Sequence, residues 1–264
     1  MKIFKKIILI LALVIISFAI IFMANGFIEK ASIDNSIKEF KSRGELVKTE
    51  GNTTYYKVAS KDIEDGSMVF DPESGDNYIG TVGDIILTNR NPLRYSRTII
   101  IKNLVGFFAR TMFLGHASYD VSENGNMIVE ITDHTNENGS MSTDTDGVKY
   151  HINDWIDADD GSPLMIGLRV KGVGLETKDQ LKRFAYENIG KPYNKTFIRR
   201  KNSFYCTDLV SRAYESAQIK LNYDGFFVTG NDLIVSGQTY IIFVRERIEI
   251  DGEEHFNIYY LVEE

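Results

Sequence analysis

The sequence predicts an α+β fold in which an antiparallel sheet packs against helices, and three observations support this class. Short stretches with strand-like alternation recur along the chain. Two amphipathic helical patterns lie among them, without the regular strand–helix alternation of a parallel sheet. The composition is globular, with 43% hydrophobic, 12% aromatic and 25% charged residues among 264. These values exclude whole-chain disorder and low-complexity architecture.

Residues 1–27 have the pattern of a membrane segment. Lys2, Lys5 and Lys6 precede an apolar run over residues 7–24, close to the roughly 20 residues that span a bilayer. The run is longer than a signal-peptide core, and no small-x-small cleavage site follows it. We therefore expect an uncleaved transmembrane helix; a cleaved signal segment or a buried core helix are the alternatives. The lysines favour a cytoplasmic N-terminus, which predicts a single-pass protein of the cell membrane with an extracytoplasmic domain, or a protein secreted after cleavage.

The charge and the cysteine content exclude several classes of function. The chain has 30 Lys and Arg against 37 Asp and Glu, a formal charge of −7, so the basic footprint of a nucleic-acid-binding protein is absent. The single cysteine, Cys206, excludes an intramolecular disulfide framework and a cysteine-rich zinc site. We expect no metal, no other cofactor and no nucleic-acid partner.

The elements after the apolar run are predicted from periodicity and turn residues. A polar helix over residues 28–46 follows from the helical spacing of Ile33, Ile37 and Phe40, and it is either a stalk or a first docking helix. Further helices are predicted over 177–190 and 208–217, strands over 55–59, 83–87, 115–121, 127–132, 164–170, 240–245 and 257–262, a covering helix or strand over 98–114 and a polar loop over 132–147.

A hairpin pattern in the middle of the chain brings a histidine and a glutamate together. Residues 115–121 alternate between apolar and polar, and His116 lies on the polar face. A three-residue loop ending in Gly125 gives one continuous apolar stripe and puts Glu130 one diagonal step from His116. A two-residue turn would break the stripe and set Asp133 opposite His116. The pattern therefore favours Glu130 as the partner of His116.

The single cysteine lies at the start of an amphipathic helix. A thiol there meets unpaired backbone N–H groups and the positive end of the helix dipole, both of which favour a thiolate. A small buried hydrophobic residue is the alternative interpretation, because free cysteine is among the most buried residue types. An unpaired thiol outside the cytoplasm is either reactive or well hidden. Cys206 is therefore a candidate nucleophile.

Five segments of the chain follow one another in a characteristic order: Gly83-Asp84-Ile85-Ile86, Gly115-His116-Ala117, Val129-Glu130, Gly190-Lys191-Pro192-Tyr193-Asn194-Lys195-Thr196-Phe197 and Phe204-Tyr205-Cys206-Thr207-Asp208-Leu209-Val210. Together they resemble the YiiX-like, circularly permuted branch of the NlpC-type papain-like cysteine peptidases, over residues 80–244. The Gly-x-Pro-Tyr and Tyr-Cys-x-x-Leu-Val pair is the most specific part. Thr207 and Asp208 depart from the family, in which Ser and Glu are commoner, but the nucleophile position is intact.

The resemblance implies a permuted papain-like domain in which the histidine strand precedes the cysteine helix. Carried over by position, Cys206 is the nucleophile, His116 the general base and Glu130 the group that orients the imidazole. Tyr205 and Tyr193 are expected to line the substrate groove, with simple aromatic packing as the alternative. Arg200, in a basic stretch before the cysteine, either meets an acidic group of the substrate or belongs to a solvated loop.

The resemblance and the predicted compartment together imply a hydrolase that cleaves an amide bond in cell-wall peptides. An acyltransferase or lipid amidase on the same fold is the first alternative. A catalytically silent module that binds the wall or a protein partner is the second. The predicted organisation is an anchor or signal segment at residues 1–27, a stalk or N-terminal extension at 28–79 and the permuted papain-like catalytic domain at 80–264.

Overall fold

The computed structural model describes residues 2–60, 69–75, 78–89, 115–132, 147–156, 163–222 and 227–263, and the single positions 99, 103 and 107. The helices in these ranges are α1 (Lys2–Ser42), α2 (Leu175–Asn188), α3 (Cys206–Ser216) and α4 (Gly230–Val235). The strands are β1 (Glu45–Glu50), β2 (Thr53–Ser60), β3 (Ile85–Thr88), β4 (His116–Asp120), β5 (Met127–Thr132), β6 (Gly147–Ile152), β7 (Leu164–Val170), β8 (Thr239–Ile250) and β9 (Glu253–Glu263). The element predicted over 98–114 and most of the loop predicted over 132–147 lie outside the described residues.

The strands of the described ranges form a single sheet in the order β1-β2-β9-β8-β7-β3-β4-β5-β6. Neighbouring strands run antiparallel except for β2 and β9, which are parallel. Helices α3 and α4 pack on each other, and α3 lies against β4 and β5. The predicted α+β class with a largely antiparallel sheet is therefore confirmed.

The first helix is continuous from Lys2 to Ser42, through the apolar run and into the polar segment that follows it. Within the described ranges, no helix combines the length and the hydropathy that crossing a membrane requires. This finding corrects the transmembrane helix predicted for residues 1–27. The predicted location outside the cytoplasm stays a prediction.

The second half of α1 docks on the sheet. Ile33, Ile37 and Phe40, the residues at helical spacing, are buried, and the helix contacts α4 and β8. Lys41 adds an ion pair with Glu246 of β8 at 2.5 Å. Of the two interpretations of this segment, the docking helix is therefore correct. Burial of three large apolar side chains is the physical reason, since each contributes on the order of 2 kcal/mol.

Residues 45–60 extend the sheet beyond β9. Strand β2 pairs with β9 along its whole length, and the Tyr56 ring stacks on Tyr259 with 4.6 Å between centroids. This segment belongs to the extension predicted at residues 28–79, and it shares hydrogen bonds with the predicted catalytic domain. The domain boundaries themselves stay a prediction.

The hairpin of β4 and β5 has the predicted register. Ser118 pairs with Glu130, Tyr119 pairs with Val129, and the Val121 N–H donates to the Met127 carbonyl at 2.9 Å. Gly125 has a positive φ of 70°, and a Cβ there would lie 2.7 Å from the Gly80 carbonyl oxygen. Only glycine fits such a position without strain, which fixes the loop length and therefore the register.

Helix α3 begins two residues earlier than predicted, at Cys206 rather than at residue 208. Its apolar face, Leu209, Val210, Ala213 and Tyr214, is buried as the periodicity indicates. The preceding residue, Tyr205, has an extended backbone and is the N-cap. The thiol is therefore on the first residue of the helix, where backbone N–H groups have no partner within the helix.

Candidate active site

His116 and Glu130 form a buried pair on adjacent strands. The hairpin register sets the two side chains diagonally on one face, and Nε2 of His116 lies 2.9 Å from Oε2 of Glu130. The two residues are only 2% and 3% exposed. A buried pair of this kind needs a good hydrogen bond, since either group alone would be costly to remove from water. The distance confirms the predicted pairing of these two residues.

Cys206 approaches this pair from the helix side of the sheet. Its Sγ lies 3.5 Å from the carbonyl oxygen of Gly115, the residue that precedes His116. Cys206 is a free thiol and is buried with the pair. Helix α3, which carries Cys206, therefore packs against strands β4 and β5, which carry His116 and Glu130 and lie more than seventy residues earlier in the chain.

The two ring nitrogens of His116 have different environments. Nε2 faces the carboxylate of Glu130, which accepts a hydrogen bond, so the proton of the neutral ring is assigned to Nε2. Nδ1 is buried and has no hydrogen-bond partner among the described residues. This assignment leaves Nδ1 as the nitrogen that can take a proton from the nearby thiol.

The electrostatics of the pair favour a protonated imidazole beside an ionised carboxylate. Burial alone would lower the pKa of His116, but hydrogen bonds and charges of Cys206 and Glu130 raise it from 6.5 to about 9. Burial would raise the pKa of Glu130, yet His116, and after it the charges of Lys149 and His151, lower it from 4.5 to about 2. Hydrogen bonds and charges together therefore outweigh desolvation at both groups.

Trp155 and Lys149 also contact the site, although no sequence pattern assigned either of them to it. Trp155 stacks on the His116 ring with 5.1 Å between centroids and an angle of 27° between planes. Lys149 is opposite Glu130 in the register of β5 and β6, and its Nζ lies 3.4 Å from Oε1 of Glu130. Strand β6 was not predicted, although the alternation of Val148, Tyr150 and Ile152 with polar residues is a strand signal.

Tyr205 and Thr207, the two neighbours of Cys206, both bond to the backbone of Val228. The Val228 N–H donates to the Tyr205 hydroxyl at 2.7 Å, and the Thr207 hydroxyl donates to the Val228 carbonyl at 2.6 Å. Tyr205 is buried, and Phe197 packs on its ring. The structure thus places Tyr205 where it holds residue 228 against the start of α3; its predicted contact with substrate stays a prediction.

The other two predicted substrate-binding residues are positioned differently. Tyr193 is buried and forms a parallel β-bridge with Phe204, two residues before the cysteine. Arg200 is exposed, and its main-chain carbonyl accepts a hydrogen bond from Arg212 at 2.8 Å. Tyr193 therefore packs beside the nucleophile segment, whereas the Arg200 side chain points to solvent. The predicted substrate roles of both residues stay predictions.

The start of α3 provides hydrogen-bond donors beside the thiol. The N-cap Tyr205 gives the helix no side-chain cap, because tyrosine lacks the short side-chain acceptor of Ser, Thr, Asp or Asn. The N–H groups of the first turn point out of the helix end, and such groups are suited to hold a developing oxyanion. In the part of the chain that the structure describes, no group of three His, Cys, Asp or Glu side chains could hold a metal ion.

A cysteine on the first residue of a helix, beside a buried histidine–carboxylate pair, has the layout of cysteine-dependent acyl transfer. The family model described as permuted papain-like amidase, YaeF/YiiX, C92 family, matches residues 81–234, which include all three side chains. The chain belongs to this family, and it is an enzyme of the cysteine peptidase and amidase class. The resemblance inferred from the sequence is confirmed.

A solved structure is also similar to this chain. A crystal structure of the metalloprotein yiiX from Escherichia coli O157:H7 is similar at 18% sequence identity with a TM-score of 0.44. The similarity covers 61% of this chain and 96% of that chain. No curated protein matches the sequence.

Proposed function

We propose that the protein hydrolyses an amide bond with Cys206 as the nucleophile, His116 as the general base and acid, and Glu130 as the orienting carboxylate. The observation that carries the proposal is the 2.9 Å contact between His116 and Glu130 beside a thiol at the start of α3. Membership of the amidase family supports an amide as the bond that is cleaved.

The first half of the reaction forms a thioester. Nδ1 of His116 takes the thiol proton, and the Cys206 sulfur attacks the carbonyl carbon of the amide. Backbone N–H groups at the start of α3 hold the negative oxygen of the tetrahedral intermediate. When the intermediate collapses, the C–N bond breaks and the imidazolium gives its proton to the leaving amine.

The second half returns the enzyme to its starting state. His116, now neutral, takes a proton from a water molecule as that water attacks the thioester carbonyl. The carbon–sulfur bond breaks, the carboxylic acid leaves, and the thiol regains a proton from the imidazolium. Glu130 is ionised beside the imidazolium, because His116, and after it Lys149 and His151, lower its pKa to about 2. Its charge stabilises the imidazolium each time that it forms.

The narrower part of the proposal is the substrate, a peptide amide of the cell wall. It is supported by the amide specificity of the family and by the export that the basic N-terminus and apolar run predict. The membrane anchor forms no part of it. An acyl-amide lipid is the competing substrate, and transfer to a second amine in place of water is the competing reaction.

The experiment is a product assay with the purified full-length chain. Cell-wall peptide fragments and N-acyl amide lipids are incubated separately, and released amines and acids are identified by mass spectrometry. We expect new termini from the wall peptides with the native protein and none with Cys206→Ala or His116→Ala. His255→Ala is the matched control, since His255 lies on β9 outside the site, and it should retain full activity.

Three results would contradict parts of the proposal. Products from the lipid alone would make the protein a lipid amidase. A new acyl-amine product instead of a free acid would make it an acyltransferase. Product formation that persists in Cys206→Ala would remove the cysteine mechanism altogether.

A further inference from the structure

Lys149 faces the carboxylate of Glu130 from the side opposite His116. The β5–β6 register sets Lys149 directly across from Glu130, and Nζ lies 3.4 Å from Oε1. The other oxygen, Oε2, is 2.9 Å from His116. Each carboxylate oxygen therefore has its own cationic or protonated partner, and the two partners come from the two strands that flank β5.

The two partners of Glu130, His116 and Lys149, differ in their part in the proposed reaction. His116 gains and loses a proton in each turn of the proposed reaction, so its charge alternates between +1 and zero. Lys149 takes no part in the proposed proton transfers; a quarter of its side chain is exposed, and Glu130 is its ion-pair partner among the described residues. The carboxylate of Glu130 is only 5% exposed. Without Lys149, it would be a buried charge lacking a counter-charge whenever His116 is neutral.

Other basic side chains near the site have partners other than Glu130. Lys191 donates to Asn188 at 2.6 Å. The titratable groups that face Glu130 are His116 on β4, Lys149 and His151 on β6 and, through His116, Cys206 on α3. His151 is directed to the Ile152 carbonyl and to Asp154. Among the described residues, Lys149 is thus the lysine in contact with the carboxylate.

We propose that Lys149 is a positioning residue, which keeps Glu130 ionised and directed at His116 while the imidazole changes its protonation state. The inference rests on the proposed function, because it assigns Lys149 a task within the Cys206–His116–Glu130 reaction. Lys149 does not touch the reacting atoms; it acts through Glu130.

The test is the pH profile of alkylation of Cys206 in the full-length protein. Cys206 is the one cysteine of the chain, so iodoacetamide reports on this thiol alone. The acid limb of the profile reports formation of the thiolate–imidazolium pair. We expect Lys149→Met to move this limb to higher pH by about one unit, because Glu130 then becomes protonated more readily. Lys149→Arg should restore the native profile.

Two controls separate this role from a structural one. Lys182→Met removes an exposed ion pair with Glu123 at 2.9 Å, away from the site, and should leave the profile unchanged. In a Glu130→Gln background, Lys149→Met should change the alkylation rate by less than about twofold, because its target is gone. Titration of the Glu130 carboxylate by ¹³C NMR should show a raised pKa in Lys149→Met, a signal that is independent of turnover.

The outcomes distinguish this inference from the proposed function. A native pH profile in Lys149→Met, or equal losses in the native and Glu130→Gln backgrounds, overturns the role of Lys149 and leaves the triad in place. Alkylation that is insensitive to His116→Ala overturns the triad, and the role of Lys149 falls with it. A raised Glu130 pKa together with a shifted acid limb supports both.

Discussion

His116 has two ring nitrogens in different environments, and this difference is the central feature at the scale of single residues. Nε2 is bound to Glu130 at 2.9 Å, and Nδ1 is left to the thiol. In the proposed reaction, the carboxylate fixes the tautomer and the ring orientation and stabilises the charge of the imidazolium. Trp155 adds a planar surface that limits tilting of the ring.

Glu130→Gln tests the charge of the orienting residue. The amide keeps a hydrogen bond to Nε2 but cannot stabilise the imidazolium, so we expect the rate of amide hydrolysis to fall about a hundredfold. The measurement is kcat on the substrate identified by the product assay. Glu123→Gln, on the loop of the same hairpin, is the control and should leave kcat unchanged. Equal rates for Glu130→Gln and the native protein would contradict the assigned role.

The raised pKa of His116 predicts how stability depends on pH. The folded pKa of about 9 exceeds the ordinary value of 6.5, so this residue contributes stability that is fully present below about pH 6.5. That contribution is lost as the pH rises through 9. Urea unfolding of the native protein should therefore show a free energy of unfolding that falls by on the order of 2 kcal/mol between these pH values.

His116→Ala should remove most of this slope, and His255→Ala should retain it. The comparison uses the slope with pH rather than absolute stability, since His116→Ala also leaves Glu130 without its partner. A slope that survives in His116→Ala would show that another group is responsible.

At the scale of elements, the β4–β5 hairpin and the first turn of α3 carry the site. The hairpin register was predictable because loop length, the apolar stripe and Gly125 all point to the same pairing. The helix was predictable from its buried face, and its N-terminus was predictable to within two residues. Its start is set by the contacts of Tyr205 and Thr207 with Val228, and these join positions more than twenty residues apart.

Gly125→Ala tests what fixes the register. Gly125 and Gly172 both have a φ of +70°, so alanine is strained to a similar extent at each. A Cβ at position 125 would lie 2.7 Å from the Gly80 carbonyl oxygen, whereas nothing lies within 4 Å at position 172. We expect Gly125→Ala to lower the free energy of unfolding by about 2 kcal/mol more than Gly172→Ala. Equal losses in urea unfolding would show that the contact with Gly80 is unimportant.

The contacts between β6 and the site could not be predicted from the sequence. Lys149 is adjacent to Glu130 only because β6 pairs with β5, and residues 133–146 separate the two strands in the chain. Alternation in residues 147–152 indicates a strand, but it does not indicate which strand is the neighbour. The stacking of Trp155 on His116 follows from the same pairing. Contacts between distant strands depend on the order of the sheet, and local patterns do not encode that order.

At the scale of the whole molecule, the sheet joins the N-terminal segment to the site-bearing strands. Helix α1 packs on α4 and β8, and β2 pairs with β9. The spacing of Ile33, Ile37 and Phe40 predicted the buried face of α1, but a local pattern could not distinguish a stalk from a docked helix. That distinction depends on β8 and α4, which come almost two hundred residues later.

Phe40→Ala tests whether this docking stabilises the whole domain. Phe40 is 3% exposed, and its truncation leaves a cavity between α1 and the sheet. We expect a loss of about 3 kcal/mol in the free energy of unfolding, with one cooperative transition. Leu46→Ala, at a position that is 64% exposed, should cost less than about 0.5 kcal/mol. A negligible effect of Phe40→Ala would show that α1 does not contribute to the stability of the sheet.

The most direct test of the whole account is the alkylation rate of Cys206 near neutral pH, measured on the full-length protein. If His116 and Glu130 activate the thiol, the native protein reacts with iodoacetamide about tenfold or more faster than free cysteine. His116→Ala then reduces the rate to that of free cysteine or below, and His255→Ala leaves it unchanged. A native rate no faster than free cysteine, and insensitive to His116→Ala, would contradict the cysteine mechanism.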